Sequence, residues 1–196
     1  YILTYDYDKW SFIDPKEAQK KLNLPRNPRD YTSIAVTTDD SNDEIVYASS
    51  MGDGVIQYKN GTPVQSYNEK NAFKETAGGY GSGYCYIDGL AFDKNGNLWM
   101  TSSEVNHAVL VLDKAGAWHR LDIEQLRGVY TINDILITST NDKWIYVPRN
   151  TPKLVMIPNS ESLDEVSSYE FTTLIDTDGK ELTPSNYTCV AEDKDG

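Results

Sequence analysis

At 196 residues and a formal net charge of −12 at pH 7, the chain lacks the basic surface that a nucleic-acid backbone demands, and no local Lys/Arg cluster makes an exception. Its 39% hydrophobic content, with 14 tyrosines and 4 tryptophans, is enough for one aromatic-rich core, while no apolar run is long enough to cross a bilayer and no signal peptide opens the sequence. Helical three-to-four spacing is nearly absent, which leaves sheet as the dominant element.

In chain order, residues 1–14 hold two short apolar runs, Ile2-Leu-Thr-Tyr and Trp10-Ser-Phe-Ile, which read as an outer half-blade. The connection from 15 to 30 contains a short helix, because Asp14-Pro15-Lys16-Glu17 combines a cap residue, a first-turn proline and the Glu of a capping box. Pro25 and Pro28 end it.

A pattern is then written three times. From Tyr31, Ile34-Ala-Val is followed by Ile45-Val-Tyr-Ala-Ser-Ser and Gly54-Val-Ile-Gln-Tyr-Lys-Asn-Gly. From Tyr84, Ile87-Asp-Gly-Leu-Ala-Phe is followed by Leu98-Trp-Met-Thr, Val109-Leu-Val-Leu and Trp118-His-Arg-Leu. From Tyr130, Ile135-Leu-Ile is followed by Lys143-Trp-Ile-Tyr-Val and Leu154-Val-Met-Ile. The anchors Tyr31, Tyr84, Tyr130 and Tyr187 are 53, 46 and 57 residues apart, and Trp10 and Trp118 are two periods apart at 108. A period this long marks stacked or radial units.

Each repeat reads as a four-stranded antiparallel blade, because Asn60-Gly61 and Asn95-Gly96 supply the positive φ angles of tight hairpins between alternating apolar runs rich in Val, Ile, Tyr and Trp. The fold class is therefore all-β, a segment of a β-propeller, with a β-sandwich as the alternative. The expected organisation is a half-blade at 1–14, blades at about 31–68, 84–123 and 130–176, and an inner half-blade at 186–196, whose Asp193-Lys-Asp-Gly turn matches Asp93-Lys-Asn-Gly. A segment of a larger ring exposes blade edges, and the chain is expected to self-associate through them.

Function is sought in loops on a rigid scaffold. Connections between second and third strands share a face with those between blades, and the residues singled out there are Asp53, Asn106, His107, Arg149 and Asn150, with Tyr80 and Tyr84 beside the glycine-rich stretch Thr76–Gly83 as aromatic platforms for sugars. That stretch lacks the following helix and lysine of a phosphate cradle and reads as a flexible loop. His107 and His119 do not form a metal pair by spacing, and His119, in an outer strand, is expected to face solvent. The acidic runs Asp39–Glu44 and Asp176–Glu181 lack a full calcium ligand series and read as hairpin turns. Cys85 and Cys189 fall at different repeat positions and read as buried or half-buried free thiols. No catalytic arrangement is assignable from spacing, so neither an enzyme nor a metal or other cofactor is expected.

The run Asp88-Gly-Leu-Ala-Phe-Asp-Lys-Asn-Gly-Asn-Leu-Trp-Met-Thr resembles the two-component-regulator propeller repeat of Bacteroidetes proteins. It is looser in the other repeats, where Tyr47 stands for the Trp and Asn141-Asp-Lys-Trp lacks the Gly. Over about residues 31–147 the order of motifs is similar to the second propeller of PorZ-type components of the type IX secretion system. The resemblance implies a non-catalytic module in the periplasm or at the outer-membrane surface, peripheral to the membrane, that works with secretion proteins and lipopolysaccharide. The alternative it implies is the periplasmic glycan-sensing propeller of a hybrid two-component regulator.

Overall fold

The computed structural model describes residues 2–73 and 83–194, and the chain divides into two compact units, Tyr1–Leu90 and Ala91–Gly196. In the first, β1 (Ile2–Asp6) and β2 (Lys9–Ile13) form a hairpin, α1 (Pro15–Leu22) follows, and β3 (Tyr31–Thr38), β4 (Glu44–Gly52), β5 (Gly54–Lys59) and β6 (Thr62–Tyr67) pair in sequence as one antiparallel blade. A π-turn at Glu69–Phe73 leads on, and β7 (Cys85–Phe92) starts in this unit and runs into the next. The second unit continues with antiparallel β8 (Leu98–Ser102), β9 (Val109–Leu112) and β10 (Trp118–Leu121), a 3₁₀ turn at Glu124–Leu126, and a blade of β11 (Ile135–Ile137), β12 (Lys143–Val147), β13 (Lys153–Ile157) and β14 (Tyr169–Phe171). A small hairpin, β15 (Leu174–Ile175) and β16 (Glu181–Leu182), follows. The segment after it carries no strand among the described residues, yet it lies along β11 and β12: Tyr187 N–H donates to Pro148 O at 3.3 Å, Tyr146 Oη to Thr188 O at 3.2 Å and Ser139 N–H to the Glu192 carboxylate at 2.7 Å.

The helix starts as its sequence demands, with the Asp14 carboxylate accepting from Lys16 N–H at 2.9 Å and Pro15 in the first turn. It stops two residues before Pro25, at Asn23, which takes the left-handed conformation with φ 51°.

One turn recurs through the sheets. At 39–43, 93–97, 113–117, 138–142 and 176–180 the first residue's N–H donates to the fifth residue's carbonyl, and the fourth residue's N–H returns to the first residue's carbonyl. The fourth position is always left-handed: Asn42 (φ 60°), Gly96 (84°), Gly116 (91°), Asn141 (69°) and Gly179 (79°). The first side chain caps the loop, as where Asp93 accepts from the Asn95 and Asn97 amides, both at 2.9 Å. Asn95 itself keeps a negative φ, so Asn95-Gly96 is part of a turn with a bulge and not a two-residue hairpin, whereas Asn60 (47°) and Gly61 (73°) do form the two-residue turn between β5 and β6. The acidic runs at 39 and 176 are both turns of this kind, with the Asp39 and Asp43 carboxylates held below the usual range by their hydrogen bonds to Lys59 at 2.7 and 2.8 Å.

Strand register sorts each blade into two faces. In the second unit Trp99, Val109, Val111 and Leu121 share one face of β8–β10 and pack on Ile135, Ile145, Val155 and Ile157 from one face of β11–β13. In the first, Ile2 and Ile13 of the β1–β2 hairpin pack on Val46, Ala48, Ile56 and Tyr58. Lys143 belongs to this core: it is 1% exposed, and its ammonium lies 4.6 Å from the centroid of the Trp99 ring. Desolvation lowers its pKa, against the opposing fields of Asp93 and Asp142.

His119 corrects an expectation. It shares the inward face of Trp99 and Val111, its side chain is 21% exposed, and both ring nitrogens meet carboxylates, Nε2 with Asp113 at 3.1 Å and Nδ1 with Asp164 at 3.3 Å. The hydrogen bond to Asp113, more than that to Asp164, raises its pKa. A raised folded-state value gives stability that is fully present below the ordinary histidine value and lost as pH rises through the folded value. The melting temperature of the wild-type protein is therefore expected to fall across that window, and His119→Phe to flatten the profile. An unchanged profile in the variant would contradict the assignment.

Candidate functional site

Two clusters of loop residues form, one in each unit. In the first, β4 passes to β5 through Gly52-Asp53-Gly54, and the end of β4 also pairs with the start of β7 through Met51↔Tyr86 and Gly52↔Cys85. The second-to-third connection and the entry to the next blade thus meet, as propeller geometry requires. Gly52 has φ 116°, and a Cβ there would lie 2.7 Å from the Tyr84 ring, so Tyr84 is a lid on this turn, stacked beside Tyr86 at 6.3 Å. Asp53 accepts from Arg26 Nε at 2.6 Å, its own N–H donates to Ser50 Oγ at 3.0 Å, and its Oδ2 is buried with no hydrogen-bond partner among the described residues. Burial pushes the Cys85 thiol up to about 12, with lesser contributions from the Glu69 and Asp53 charges, so this cysteine is an inert core residue. Cys189, by contrast, is exposed.

In the second unit, the β8–β9 connection carries Asn106, exposed, and His107, half-buried. Glu104 N–H donates to Val129 O at 2.8 Å and Gly128 N–H to Val105 O at 2.9 Å, which fastens this connection to the segment leading into β11. That segment in turn faces the β12–β13 connection across a cavity of about 240 Å³. Tyr130 and Thr131 line one side, and Arg149, Asn150, Thr151 and Lys153 the other. Asn150 takes φ 64°, which turns the chain around the cavity mouth. Lys153 is paired with Glu170 at 2.8 Å, while Arg149 is exposed, as is 61% of Tyr130. A guanidinium, an amide and an aromatic face around one small opening can take a carboxylate or phosphate beside an apolar ring face.

Of the residues singled out in the sequence, Arg149 and Asn150 share this cavity, Asn106 and His107 lie on the neighbouring connection without lining it, Asp53 and Tyr84 meet at a turn of the first unit, and Tyr80 lies outside the described residues. Sequence reasoning missed Arg26, Tyr130 and Lys153. Tyr130 stands at the same repeat position as Tyr84, and that equivalence was the available signal. No group of three or more His, Cys, Asp or Glu residues suited to a metal is found among the described residues.

No family model matches the chain, and no curated protein matches it. Solved structures do. PorZ, a surface component of the type IX secretion system of Porphyromonas gingivalis, superposes with a TM-score of 0.75 at 18% identity, over 94% of this chain and 25% of PorZ. The extracellular domain of a hybrid two-component system from B. thetaiotaomicron gives a TM-score of 0.54 at 17% identity, over 85% of this chain and 20% of that one. A one-component system from the same organism gives 0.52 at 15%, over 80% and 23%. The chain thus spans about a quarter or less of each structure it resembles. At these identities the likeness carries the fold: the chain is a propeller-type β-blade segment.

Proposed function

We propose that this chain is a non-catalytic, extracytoplasmic binding and scaffolding module, a blade segment of a type IX secretion surface-attachment component located in the periplasm or at the outer-membrane surface. Its partners in this reading are secretion proteins and lipopolysaccharide. The likeness to PorZ over 94% of the chain supports the setting. The observation that carries the binding role is the Arg149–Asn150–Tyr130 cavity, a cationic opening on a chain of net charge −12. Anionic sugar groups suit it, with Arg149 on the acid group and Tyr130 on the ring face. Asn106 and His107 of the second unit, and Asp53 and Tyr84 of the first, remain candidate ligand-binding residues in this reading, as does Tyr80.

Arg149→Ala is expected to weaken binding of purified lipopolysaccharide about tenfold or more, the value of one charge-assisted hydrogen bond, with the melting temperature unchanged. Titration calorimetry with the wild-type and variant chains measures it. Equal affinities would remove Arg149 from the site. The second reading, a periplasmic glycan sensor of a hybrid two-component regulator, is favoured by the exposed Tyr130 ring and by the likeness to the extracellular sensor domains. Tight binding of neutral oligosaccharides, insensitive to Arg149→Ala, would select it.

A further inference from the structure

The connection from β13 to β14, residues 158–168 of the second unit, carries no strand or helix and reaches the face of β10 that bears His119. Both of its ends are fastened. Asn159 N–H donates to the Asp142 carboxylate at 2.8 Å and Asn159 Oδ1 accepts from Asn141 Nδ2 at 2.9 Å, while Ser168 Oγ donates to Gln125 Oε1 at 3.0 Å. Between these anchors Leu163 and Val166 pack half-buried against the core, and Asp164 makes the one polar contact with the rest of the unit among the described residues, to His119. The other hydrogen bonds of this stretch, Ser162 N–H to Ser160 Oγ and Asp164 N–H to Ser162 Oγ, are internal.

The contact with His119 requires a proton. A carboxylate only accepts hydrogen bonds, and a neutral imidazole has a single N–H to give. Each ring nitrogen nevertheless faces a carboxylate, Nε2 that of Asp113 at 3.1 Å and Nδ1 that of Asp164 at 3.3 Å, so both contacts are hydrogen bonds only in the imidazolium. The two carboxylates are not equivalent. Asp113 is held by its own turn, where its Oδ1 accepts from Ala117 N–H at 2.8 Å, and its side chain is 22% exposed; that of Asp164 is 85% exposed. The neutral ring therefore keeps its proton on Nε2, toward Asp113, and turns the bare lone pair of Nδ1 on the Asp164 oxygen, which it repels. Arg120 alternates to the other face of β10, so Asp113 and Asp164 are the charges facing the ring, with Lys114 and Glu161 beyond them along a neighbouring cavity.

We infer that His119 is a proton-operated clasp, which holds residues 160–167 onto the second unit while the ring is charged and lets them go when the ring is neutral. The hydrogen bond to Asp113 raises the pKa of the ring above the ordinary histidine value, so the clasp is closed below that value and is lost as pH rises through the folded one. Ser160, Glu161 and Leu163 form one wall of a cavity of about 320 Å³, and the turns at 93–97 and 113–117 form the other. Release takes down the first wall and uncovers Leu163 and Val166.

Nuclear magnetic resonance of the full 196-residue chain tests it, with the ring nitrogen shifts of His119 giving its protonation and backbone order parameters giving the state of the segment. Below the histidine titration the order parameters of 160–167 are expected in the rigid range, about 0.85, and above it they are expected to fall below about 0.6, while those of β9 and β13 stay unchanged. Asp164→Asn, at an exposed position, distinguishes the clasp from general loosening. A carboxamide accepts from Nδ1–H of the charged ring and donates to bare Nδ1 of the neutral one, so this variant should keep the segment ordered on both sides of the titration. His119→Phe, with wild-type circular dichroism, should leave it loose on both sides. A wild-type segment equally ordered at both ends of the titration, or an Asp164→Asn segment that loses order with pH as the wild type does, would overturn the inference.

Discussion

Gly54→Ala is expected to destabilise the first unit by about 3 kcal/mol or more, adding the strain of a left-handed alanine to that of an overpacked site. Gly54 has φ 79°, and a Cβ built on it overlaps the Tyr67 carbonyl oxygen and comes within 2.9 Å of the Phe73 ring. Neither neighbour is free to yield, since Tyr67 ends β6 and Phe73 is 3% exposed. The site also lies one residue from Asp53, so the same substitution displaces the carboxylate that Arg26 holds. Gly61→Ala is the matched control: its φ is 73°, but a Cβ there meets nothing within 4 Å. Urea denaturation of both variants isolates the steric part, and equal costs would show that the β4–β5 connection is looser than its geometry implies.

Trp99→Ala is expected to cost about 3–5 kcal/mol, the range for emptying a large aromatic site in a packed core. The ring is 1% exposed, its Nε1 donates to Asp93 Oδ2 at 2.9 Å, and it underlies the Lys143 ammonium. Removing it takes a donor from a buried carboxylate, a π face from a buried cation, and a large ring from the core between two blades, all at once. Trp99→Phe restores the ring without the N–H and should recover most of the loss, leaving about 1–2 kcal/mol for the bond to Asp93. Trp10→Ala, at a position 70% exposed, should stay within about 0.5 kcal/mol. If Trp99→Ala and Trp10→Ala cost the same, the blade core is not where the structure puts it.

The blades were legible because hairpin chemistry is local. Asp93-Lys-Asn-Gly-Asn and Asp113-Lys-Ala-Gly-Ala name their turns with a capping carboxylate and a left-handed glycine, and alternating apolar residues give the strands between. The same turn was harder to see at Thr138–Asp142, where a threonine caps and Asn141 takes the glycine's φ, so the missing Gly looked like a missing motif. Lys143 was illegible as core: a lysine is buried only where the field of nearby carboxylates and an aromatic face compensate for lost hydration, and beside its neighbour Asp142 it needs Asp93 and the Trp99 ring, which come from the preceding blade. The candidate cavity was half legible. Arg149 and Asn150 were marked by their connection, but Tyr130 joins them through folding alone, as Arg26 joins Asp53 across 27 residues. The half-burial of His119 involves Asp164, a partner 45 residues away that no local pattern names.

The recurrent five-residue turn acts as a ruler inside the blades. It joins first strands to second at 39–43, 93–97 and 138–142, and third to fourth at 113–117. A single inserted residue there would reverse the parity of everything beyond it and carry Trp99 from the core to the opposite face. The connections from second strand to third, and from blade to blade, carry no such constraint: Gly52-Asp53-Gly54 takes the fewest residues, and the stretch from 68 to 84 takes many. Length is therefore held constant from first strand to second and drifts at other connections, as in the 158–168 stretch between β13 and β14. Descendants of such a chain can acquire new specificities by lengthening connections such as the one that carries Arg149, while the turn from first strand to second stays the same in each blade.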